Sequence, residues 1–238
     1  MTPHIDPINV PSLKAACVHK LEGLILSGEL KSGTRLPSER NLAAMLNVSR
    51  PVLHQALVDL DAKGLVEIVP RKGVLVNDFL TTGSCALLTT ILSYQEGELD
   101  PAFFHGLIDM RLLMEVETAR LAAIHHTAAH AGQLREILAQ EAATGRQDAR
   151  ALAELDFAFH QTVALASDNL MYLLIINSFK SIYTNITRKF FTQHNGDSVV
   201  EETFTFHRRL VDALEARDSA AAAQIMAEML RHGAENLE

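Results

Sequence analysis

Residues Leu36 to Leu60, LPSERNLAAMLNVSRPVLHQALVDL, decide the fold of the first third of the chain. Apolar side chains recur here at helical spacing in two short runs, which predicts two helices joined by a tight turn. The apolar positions are Leu42, Met45 and Leu46 in the first helix and Leu53, Ala56, Leu57 and Leu60 in the second. Each helix therefore has one side suited to packing against its own domain.

The same stretch contains the residues that begin both helices. Ser38 and Ser49 are placed to cap the two helix starts, and Pro51 falls in the first turn, where a missing N–H costs nothing. Ser49, Arg50 and His54 lie off the apolar stripe of the second helix. An apolar back with a polar N-terminal face is the arrangement that a helix needs to enter a DNA groove.

The flanking sequence completes a winged helix-turn-helix over residues 13–76. An amphipathic helix is predicted at Leu13–Ser27, and after residue 64 the period changes from helical to extended. Leu65–Val69 and Val74–Val76 are short predicted strands with a basic turn between them. Arg71 and Lys72 at this turn are placed to contact phosphate or the minor groove.

The rest of the chain has almost no strand signal. Residues 1–12 are predicted to form a flexible arm, residues 77–80 a linker and residues 81–238 an all-helical domain for effector binding and dimerisation. The predicted helices are Thr82–Glu96, Ala102–His126, Ala128–Thr144, Ala149–Ser167, Asn169–His194, Val199–Ala216 and Ser219–Leu237. Short connections between long helices indicate an antiparallel α-helical bundle, so the fold class is mainly α.

Charge is divided unevenly along the chain. The formal net charge is −8, but residues 1–79 contain nine Lys/Arg and eight Asp/Glu, whereas residues 80–238 contain 12 and 21. Only the N-terminal third can therefore tolerate a polyanion such as DNA.

Cys17 and Cys85 show no pairing motif, and we expect both thiols to be buried in a reducing compartment. No leader opens the chain and no apolar run approaches about 18 residues, so we expect a cytoplasmic protein without a membrane partner.

The motif carried by Ile25–Val76, IxxGxLxxGxxLPSExxLAxxLxVSRxxxxxALxxLxxxGLVxxxxxxGVxV, closely resembles that of GntR-type transcription regulators. The helical part resembles the C-terminal sensor domain (FCD) of the FadR subfamily. It does so through Arg111-x-x-x-Glu115, Ala119–Ala123, Leu155-Asp156-x-x-x-His160 and His207-Arg208-x-Leu210. The resemblance covers about residues 13–235.

The resemblance implies a set of DNA contacts, which could otherwise be ordinary solvated surface residues. These residues are Arg40, Ser49, Arg50, Pro51, His54, Arg71, Lys72 and Gly73. We expect Arg50 to read a base, since a guanidinium matches the two acceptors of guanine in the major groove. Where the family usually has SRTPVREAL, this chain has SRPVLHQAL, so that His54 replaces an arginine. A neutral imidazole would hold a phosphate less tightly at pH 7.

Asp156 and His160 stand at i, i+4 on one helix face among apolar residues, which is an unusual place for them without a partner. In the family that the chain resembles, such a pair and two later histidines hold a divalent metal such as Zn²⁺. His207 matches the first of these histidines, but Met229 stands at the second position and is a poor zinc ligand. His232 could reach in only if the last helix shifts. The alternative is a hydrogen-bonded polar cluster that binds an effector directly.

The role of the Arg111 side chain can be interpreted in two ways. The resemblance implies that it points into the effector cavity, where a guanidinium suits a carboxylate through paired hydrogen bonds. The alternative is an intrahelical pair with Glu115 at i+4. With the metal-like cluster, Arg111 favours a small carboxylate effector, such as a hydroxy acid or a sugar acid, over a long acyl chain.

Three functions can be weighed. The favoured one is a ligand-responsive transcription regulator that binds a palindromic double-stranded DNA operator as a homodimer, and the resemblance implies that it acts as a repressor. A metalloenzyme built on Asp156, His160 and His207 lacks an obvious general base, a nucleophile motif and a phosphate-binding glycine loop, so we expect no catalytic residues and no enzyme activity. A DNA-architectural protein is disfavoured because such proteins are usually basic throughout, whereas this helical part is acidic.

Overall fold

A computed structural model describes residues 12–94, 100–196 and 198–237, without the side chains of residues 89 and 92–94. The chain divides into two compact units between Glu96 and Gly97. Most of the predicted arm, residues 1–11, lies outside the described residues, as do residues 95 and 96 at the end of one predicted helix.

The first unit begins as a three-helix domain with a hairpin. Its elements are α1 (Leu13–Leu26), α2 (Glu39–Met45), α3 (Arg50–Ala62), β1 (Val66–Val69), β2 (Gly73–Val76), α4 (Phe79–Thr82) and α5 (Ala86–Tyr94). The two strands are antiparallel, with Val66 opposite Val76 and Val69 opposite Gly73. This is the predicted winged helix-turn-helix.

Local chemistry explains the helix boundaries and the packing. The Ser38 hydroxyl accepts the N–H of Asn41 at 3.4 Å, and the Ser49 hydroxyl accepts that of Val52 at 3.5 Å. The predicted stripe of α3 forms the centre of the core, with Leu53, Ala56, Leu57 and Leu60 fully buried. In α2 the prediction for Met45 was wrong. Met45 is 71% exposed, and Ala43 is buried in the core of this unit instead, because the packing of α2 against its neighbours, rather than its periodicity, decides which side of the helix meets the core.

The first unit extends past residues 77–80, where the sequence suggested a linker. Leu87 of α5 belongs to the buried core of this unit, and the backbone of α4 lies against Gly64, where an added Cβ would stand 2.1 Å from the carbonyl oxygen of Thr82. The helix predicted at Thr82–Glu96 begins only at Ala86, because α4 ends at Thr82 and residues 83–85 form a turn. Helical periodicity also does not say which core such a helix joins. Part of the segment assigned to the helical domain therefore packs on the winged helix-turn-helix.

The second unit consists of helices throughout its described residues. They are α6 (Pro101–His125), α7 (Ala128–Ala143), α8 (Ala149–Ala166), α9 (Leu170–Ser178), α10 (Lys180–Gln193), α11 (Ser198–Glu215) and α12 (Ser219–Glu235). The mainly α fold class, with a helical bundle after the winged helix-turn-helix, is confirmed. The helix predicted over residues 169–194 is two helices, broken at Phe179, whose φ of −94° and ψ of 0° leave the helical range.

The core of the bundle is made by α6, α7, α8, α11 and α12. Ala119, Ala122 and Ala123 of α6 are fully buried, and these small side chains allow neighbouring helices to approach closely. Phe159 and Val163 of α8 fill the centre beside them. Helix α8 is thereby held between α6, α7 and α10, and its polar residues Asp156 and His160 are carried into the interior.

The two cysteines differ in environment. Cys17 is buried in α1, and burial raises the pKa of its thiol, whereas Cys85 is exposed, so the expectation that both thiols are buried was wrong for Cys85. Cys85 lies in the turn between α4 and α5, where a small side chain has no core to join.

Among the described residues, no helix is both long enough and apolar enough to cross a bilayer.

Candidate functional site

The first candidate site is the exposed face of the winged helix-turn-helix. All eight residues predicted to contact DNA are exposed, on α2, on the first turns of α3 and on the hairpin turn. Arg50 is the first residue of α3, Ser49 is its cap and Pro51 lies in its first turn. At the hairpin, Arg71 has φ of 64° and Gly73 has φ of 97°, a left-handed turn that glycine adopts without strain.

The charged residues of this face differ in their partners. Within the described parts of the chain, Arg40, Arg50, Arg71 and Lys72 form no ion pair, so their charges remain available to a polyanion. His54 is different, because its Nδ1 lies 3.2 Å from Oε1 of Glu39. A carboxylate therefore stands beside the residue that already replaces a family arginine.

The second candidate site is a polar cluster inside the bundle. Asp156 and His160 of α8 and His207 of α11 are 6%, 3% and 0% exposed, and one candidate ligand atom from each lies within 4.8 Å of the other two. The i, i+4 spacing places the first two on one face of α8, and α11 brings the third from 47 residues farther along the sequence. The structure thus brings together all three predicted metal ligands.

Two buried glutamates orient the imidazoles of this cluster. Nδ1 of His160 is hydrogen-bonded to Oε2 of Glu115, and Nδ1 of His207 lies 2.7 Å from Oε1 of Glu141. A carboxylate on one ring nitrogen fixes the ring and directs the other nitrogen toward a metal, as in many metal sites with histidine ligands. Nε2 of His207 is buried, lies 3.5 Å from Oδ1 of Asp156, and has no hydrogen-bond partner among the described residues.

Arg111 links the cluster to the adjoining space. Its Nε donates to Oε1 of Glu115 at 2.6 Å, and its Nη2 donates to the hydroxyl of Tyr183 at 2.9 Å. The Tyr183 hydroxyl in turn donates to Oδ2 of Asp156 at 2.7 Å, and the guanidinium stacks 4.2 Å from the Tyr183 ring centre. Arg111 therefore makes the i+4 pair with Glu115 and also lines the interior cavity, so the two readings are compatible.

The pKa shifts follow from this network. Burial alone would raise the pKa of Glu115, but Arg111 and His160 lower it to about 2. Burial alone would lower the pKa of His207, yet Glu141 and Asp156 raise it above its usual value. Burial raises the pKa of Tyr183 strongly, so its hydroxyl remains a hydrogen-bond donor.

The donor set fits a divalent cation. Among the described residues, this network contains the buried carboxylates of Glu115, Glu141 and Asp156 and one guanidinium, that of Arg111. The network therefore has an excess of two formal negative charges when its histidines are neutral. Uncompensated buried charge is unfavourable, and a cation of charge two would cancel it. One carboxylate and two imidazoles are also the ligand types that zinc and similar ions accept.

This chain has Met229 at the position where the family has its fourth metal ligand. Met229 is buried and lines the same cavity as Asp156 and His160. His232 lies elsewhere, because its Nε2 is 3.1 Å from the carbonyl oxygen of Val199 and its Nδ1 is 3.5 Å from Oε2 of Glu202. His232 is thus held by other groups, and three protein ligands remain.

Two cavities adjoin the cluster. One, of about 470 Å³, is lined by Asp156, His160 and Met229 together with residues of α6, α10 and α12. The other, of about 480 Å³, lies between α6, α9 and α10 and is lined mainly by apolar side chains. Arg111 and Tyr183 line both cavities, so the charged network stands at the place where they meet.

Sequence reasoning missed three residues of this site. Tyr183 and Glu141 were not selected, and Glu115 was considered only as an ion-pair partner of Arg111. The signal for Glu115 and Glu141 is a glutamate in an otherwise alanine- and leucine-rich helix face. We find no local signal for Tyr183, because its partners Arg111 and Asp156 are 72 and 27 residues away.

A winged helix-turn-helix followed by a helical bundle with a buried polar cluster beside a cavity defines a DNA-binding protein with an internal sensor domain. Residues 13–76 match the sequence model described as "Bacterial regulatory proteins, gntR family", and residues 106–232 match that of the FCD domain. The chain belongs to the GntR family of bacterial transcription regulators and contains the effector-binding FCD domain of its FadR subfamily. Proteins of this family are transcription regulators and not enzymes.

Individual relatives agree with this assignment. The chain is 33% identical to a fatty acid metabolism regulator protein of Shewanella amazonensis over 172 residues, covering 71% of this chain and 68% of that protein. It is 30% identical to the uncharacterized HTH-type transcriptional regulator YieP of Escherichia coli, covering 92% and 93%. In three dimensions it is similar to Lar of Listeria monocytogenes, with a TM-score of 0.59, 16% identity and coverage of 97% and 98%, a likeness that concerns the fold alone.

Proposed function

We propose that this regulator is a cytoplasmic, dimeric repressor that binds a palindromic operator and responds to a small organic acid held at the buried cluster. One observation is the main support for the proposed effector site at the buried cluster. Nε2 of His207 is buried without a hydrogen-bond partner in the described chain, beside Asp156 and an excess of carboxylate charge. Such a site favours occupation by a cation, and a cation with open positions favours an acid.

The residues that would hold the cation are Asp156, His160 and His207, with Glu115 and Glu141 orienting the two imidazoles. A bound divalent ion supplies Lewis-acid attraction for a carboxylate. Arg111 lines the same cavity and provides a second, directional contact for that carboxylate. A hydroxy acid adds a hydroxyl beside the carboxylate as a further oxygen ligand, which is why hydroxy and sugar acids are the first acids to test.

The DNA part of the proposal rests on the exposed face of α2, α3 and the hairpin turn. We propose that Arg40, Ser49, Arg50, Pro51, His54, Arg71, Lys72 and Gly73 contact the operator. The acid must prefer one arrangement of the two DNA-binding domains in order to change operator affinity, since a ligand that binds both arrangements equally shifts nothing.

The test measures metal content, acid binding and operator release on one preparation. The protein is purified without chelators or nickel resin, its metal is quantified, and a panel of hydroxy and sugar acids is screened by thermal shift and by operator gel shift. We expect about one divalent ion per chain, stabilisation by at least one acid, and loss of the operator complex with that acid.

Asp156→Asn keeps the shape of the side chain and removes its charge, and should abolish both the metal and the acid response. Asp212→Asn on α11 is the matched control, because Asp212 is 66% exposed, and it should behave as wild type. A metal-free protein that still releases its operator with an acid would eliminate the metal from the proposal. Operator binding unchanged by every acid would eliminate the acid effector.

A further inference from the structure

We infer that the effector acid carries an apolar substituent and that this substituent occupies the cavity between α6, α9 and α10. The inference rests on the proposed function, because it takes the buried cluster as the binding site for the carboxylate. It narrows the class of effector to an amphipathic monocarboxylate and disfavours a sugar acid.

The cavity has one polar end and an apolar remainder. Of the eleven residues that line it, Arg111, Glu115 and Tyr183 are polar, and all three belong to the network beside the metal-like cluster. The other eight are Leu, Ile, Met or Phe. The apolar remainder is lined by residues of α6, α9 and α10.

The polar end is shared with the cavity that contains Asp156 and His160. Ile108, Arg111, Tyr183 and Ile186 line both spaces, so one molecule can contact the guanidinium of Arg111 with its carboxylate and extend away from the cluster along α6 and α10. The length of such a molecule is limited by the cavity. An apolar tail would displace water from the side chains that line it, which is favourable in proportion to the area covered.

A polyhydroxylated tail is a poor match for the same space. Leu107, Met114 and Ile176 of the lining are less than 10% exposed and offer no hydrogen-bonding side chain. Each sugar hydroxyl placed against them would lose its water without gaining a partner. Met110 and Met114, by contrast, have flexible thioether side chains that adapt to apolar ligands of different shape.

The charge of the ligand is limited in a similar way. Among the described residues that line the two cavities, Arg111 is the one Lys or Arg side chain. It already donates to Glu115 and to Tyr183, so it can serve one carboxylate but not two. A second carboxylate at the far end of the ligand would lie against the apolar lining without a cationic partner, which is strongly unfavourable.

The experiment compares a chain-length series on the full-length protein loaded with Zn²⁺. Acetate, butanoate, hexanoate and octanoate are titrated by calorimetry, with gluconate as the polar comparison. We expect affinity to rise about fourfold per methylene until the cavity is filled, equivalent to about 0.8 kcal/mol each, and hexanoate to bind more tightly than gluconate. The heat-capacity change should become more negative along the series.

Two neighbouring substitutions on α9 provide the matched control. Ile175→Trp fills the cavity and should remove the dependence on chain length while acetate binding remains. Leu174→Trp adds the same bulk at a position that is 52% exposed and outside the cavity lining, and should retain the full dependence. If Ile175→Trp does not fold, Met110→Phe obstructs the same cavity from α6.

The outcomes separate this inference from the proposed function. Affinity that does not change with chain length, together with tight gluconate binding, would overturn the apolar substituent and leave the acid sensor in place. Equal loss of chain-length dependence in both α9 variants would assign the tail to another surface and overturn the inference. Failure of every acid to bind the zinc-loaded protein would overturn both.

Discussion

The imidazole of His54 lies on the recognition helix where the family has an arginine, and its Nδ1 is 3.2 Å from a carboxylate oxygen of Glu39. Electrostatic attraction to phosphate is therefore weaker at this position than the family pattern implies. We therefore expect Arg50 at the start of α3, and Arg71 and Lys72 at the hairpin turn, to contribute most of the DNA recognition. These three side chains are exposed and have no ion-pair partner in the described chain.

Truncation of Arg50 and truncation of Lys72 should change DNA binding in different ways. Arg50→Ala is expected to weaken binding to the operator by about 1–3 kcal/mol while binding to random DNA changes little, because a base contact carries sequence information. Lys72→Ala should weaken both alike and reduce the salt slope by about one, as expected for a phosphate contact. Gel shifts at several salt concentrations distinguish these results. An Arg50→Ala protein with wild-type discrimination would contradict the assignment of base readout to Arg50.

At the scale of elements, the notable feature is the attachment of α5 to the winged helix-turn-helix. Nζ of Lys63, at the end of α3, lies 2.5 Å from Oε1 of Glu22 on α1 and 2.9 Å from Oγ1 of Thr90 on α5. The Thr90 hydroxyl also donates to Glu22 at 3.1 Å. Together with Leu87 in the core, this network links α1, the end of α3 and α5.

Breaking this network should destabilise the first unit much more than breaking a surface ion pair. Lys63→Met leaves the carboxylate of Glu22, 8% exposed, without its cation, and is expected to cost about 2–3 kcal/mol. That is less than for a fully buried pair, because Lys63 is 25% exposed. Urea unfolding followed by circular dichroism measures the loss.

Lys14→Met supplies the control for that measurement. Lys14 pairs with Asp59 on the surface of the same unit, with both side chains about 40% exposed, so its loss should cost about 0–1 kcal/mol. Equal losses for the two variants would show that the Glu22–Lys63–Thr90 network adds no more than a surface pair.

At the scale of the whole molecule, the charge distribution limits how one copy can bind DNA. The first 79 residues have a net charge near +1, while the remainder of the chain is strongly acidic. A single DNA-binding domain with so little net charge gains modest non-specific affinity. Tight binding should then depend on two domains held together in a dimer.

This dependence can be measured on DNA alone, without altering the protein. An intact palindrome should bind about 10²–10⁴ times more tightly than an isolated half-site, because the second contact becomes intramolecular. Inserting about five base pairs between the half-sites rotates one of them to the opposite side of the duplex and should remove most of the gain. A half-site that binds as tightly as the palindrome would contradict the proposed dimer on the operator.

The sequence by itself determined the winged helix-turn-helix, most helix boundaries of the bundle and the metal-like triad. These features depend on local physics: caps, helical periodicity and i, i+4 spacing act over a few residues. The family motif then connected His207 to Asp156 and to His160, which is 47 positions earlier in the sequence. The break at Phe179 and the exposure of Met45 were missed, because both depend on how a short helix packs against its neighbours.

Only the tertiary structure decided which groups surround the triad and which core each segment joins. Tyr183 meets Asp156 and Arg111, and Glu141 meets His207, through contacts between helices that no local pattern encodes. The apolar cavity beside Arg111 likewise exists only because α6, α9 and α10 pack around it. The physical reason is the same in each case. Burial, desolvation and partner choice are properties of assembled helices, whereas sequence periodicity describes one helix at a time.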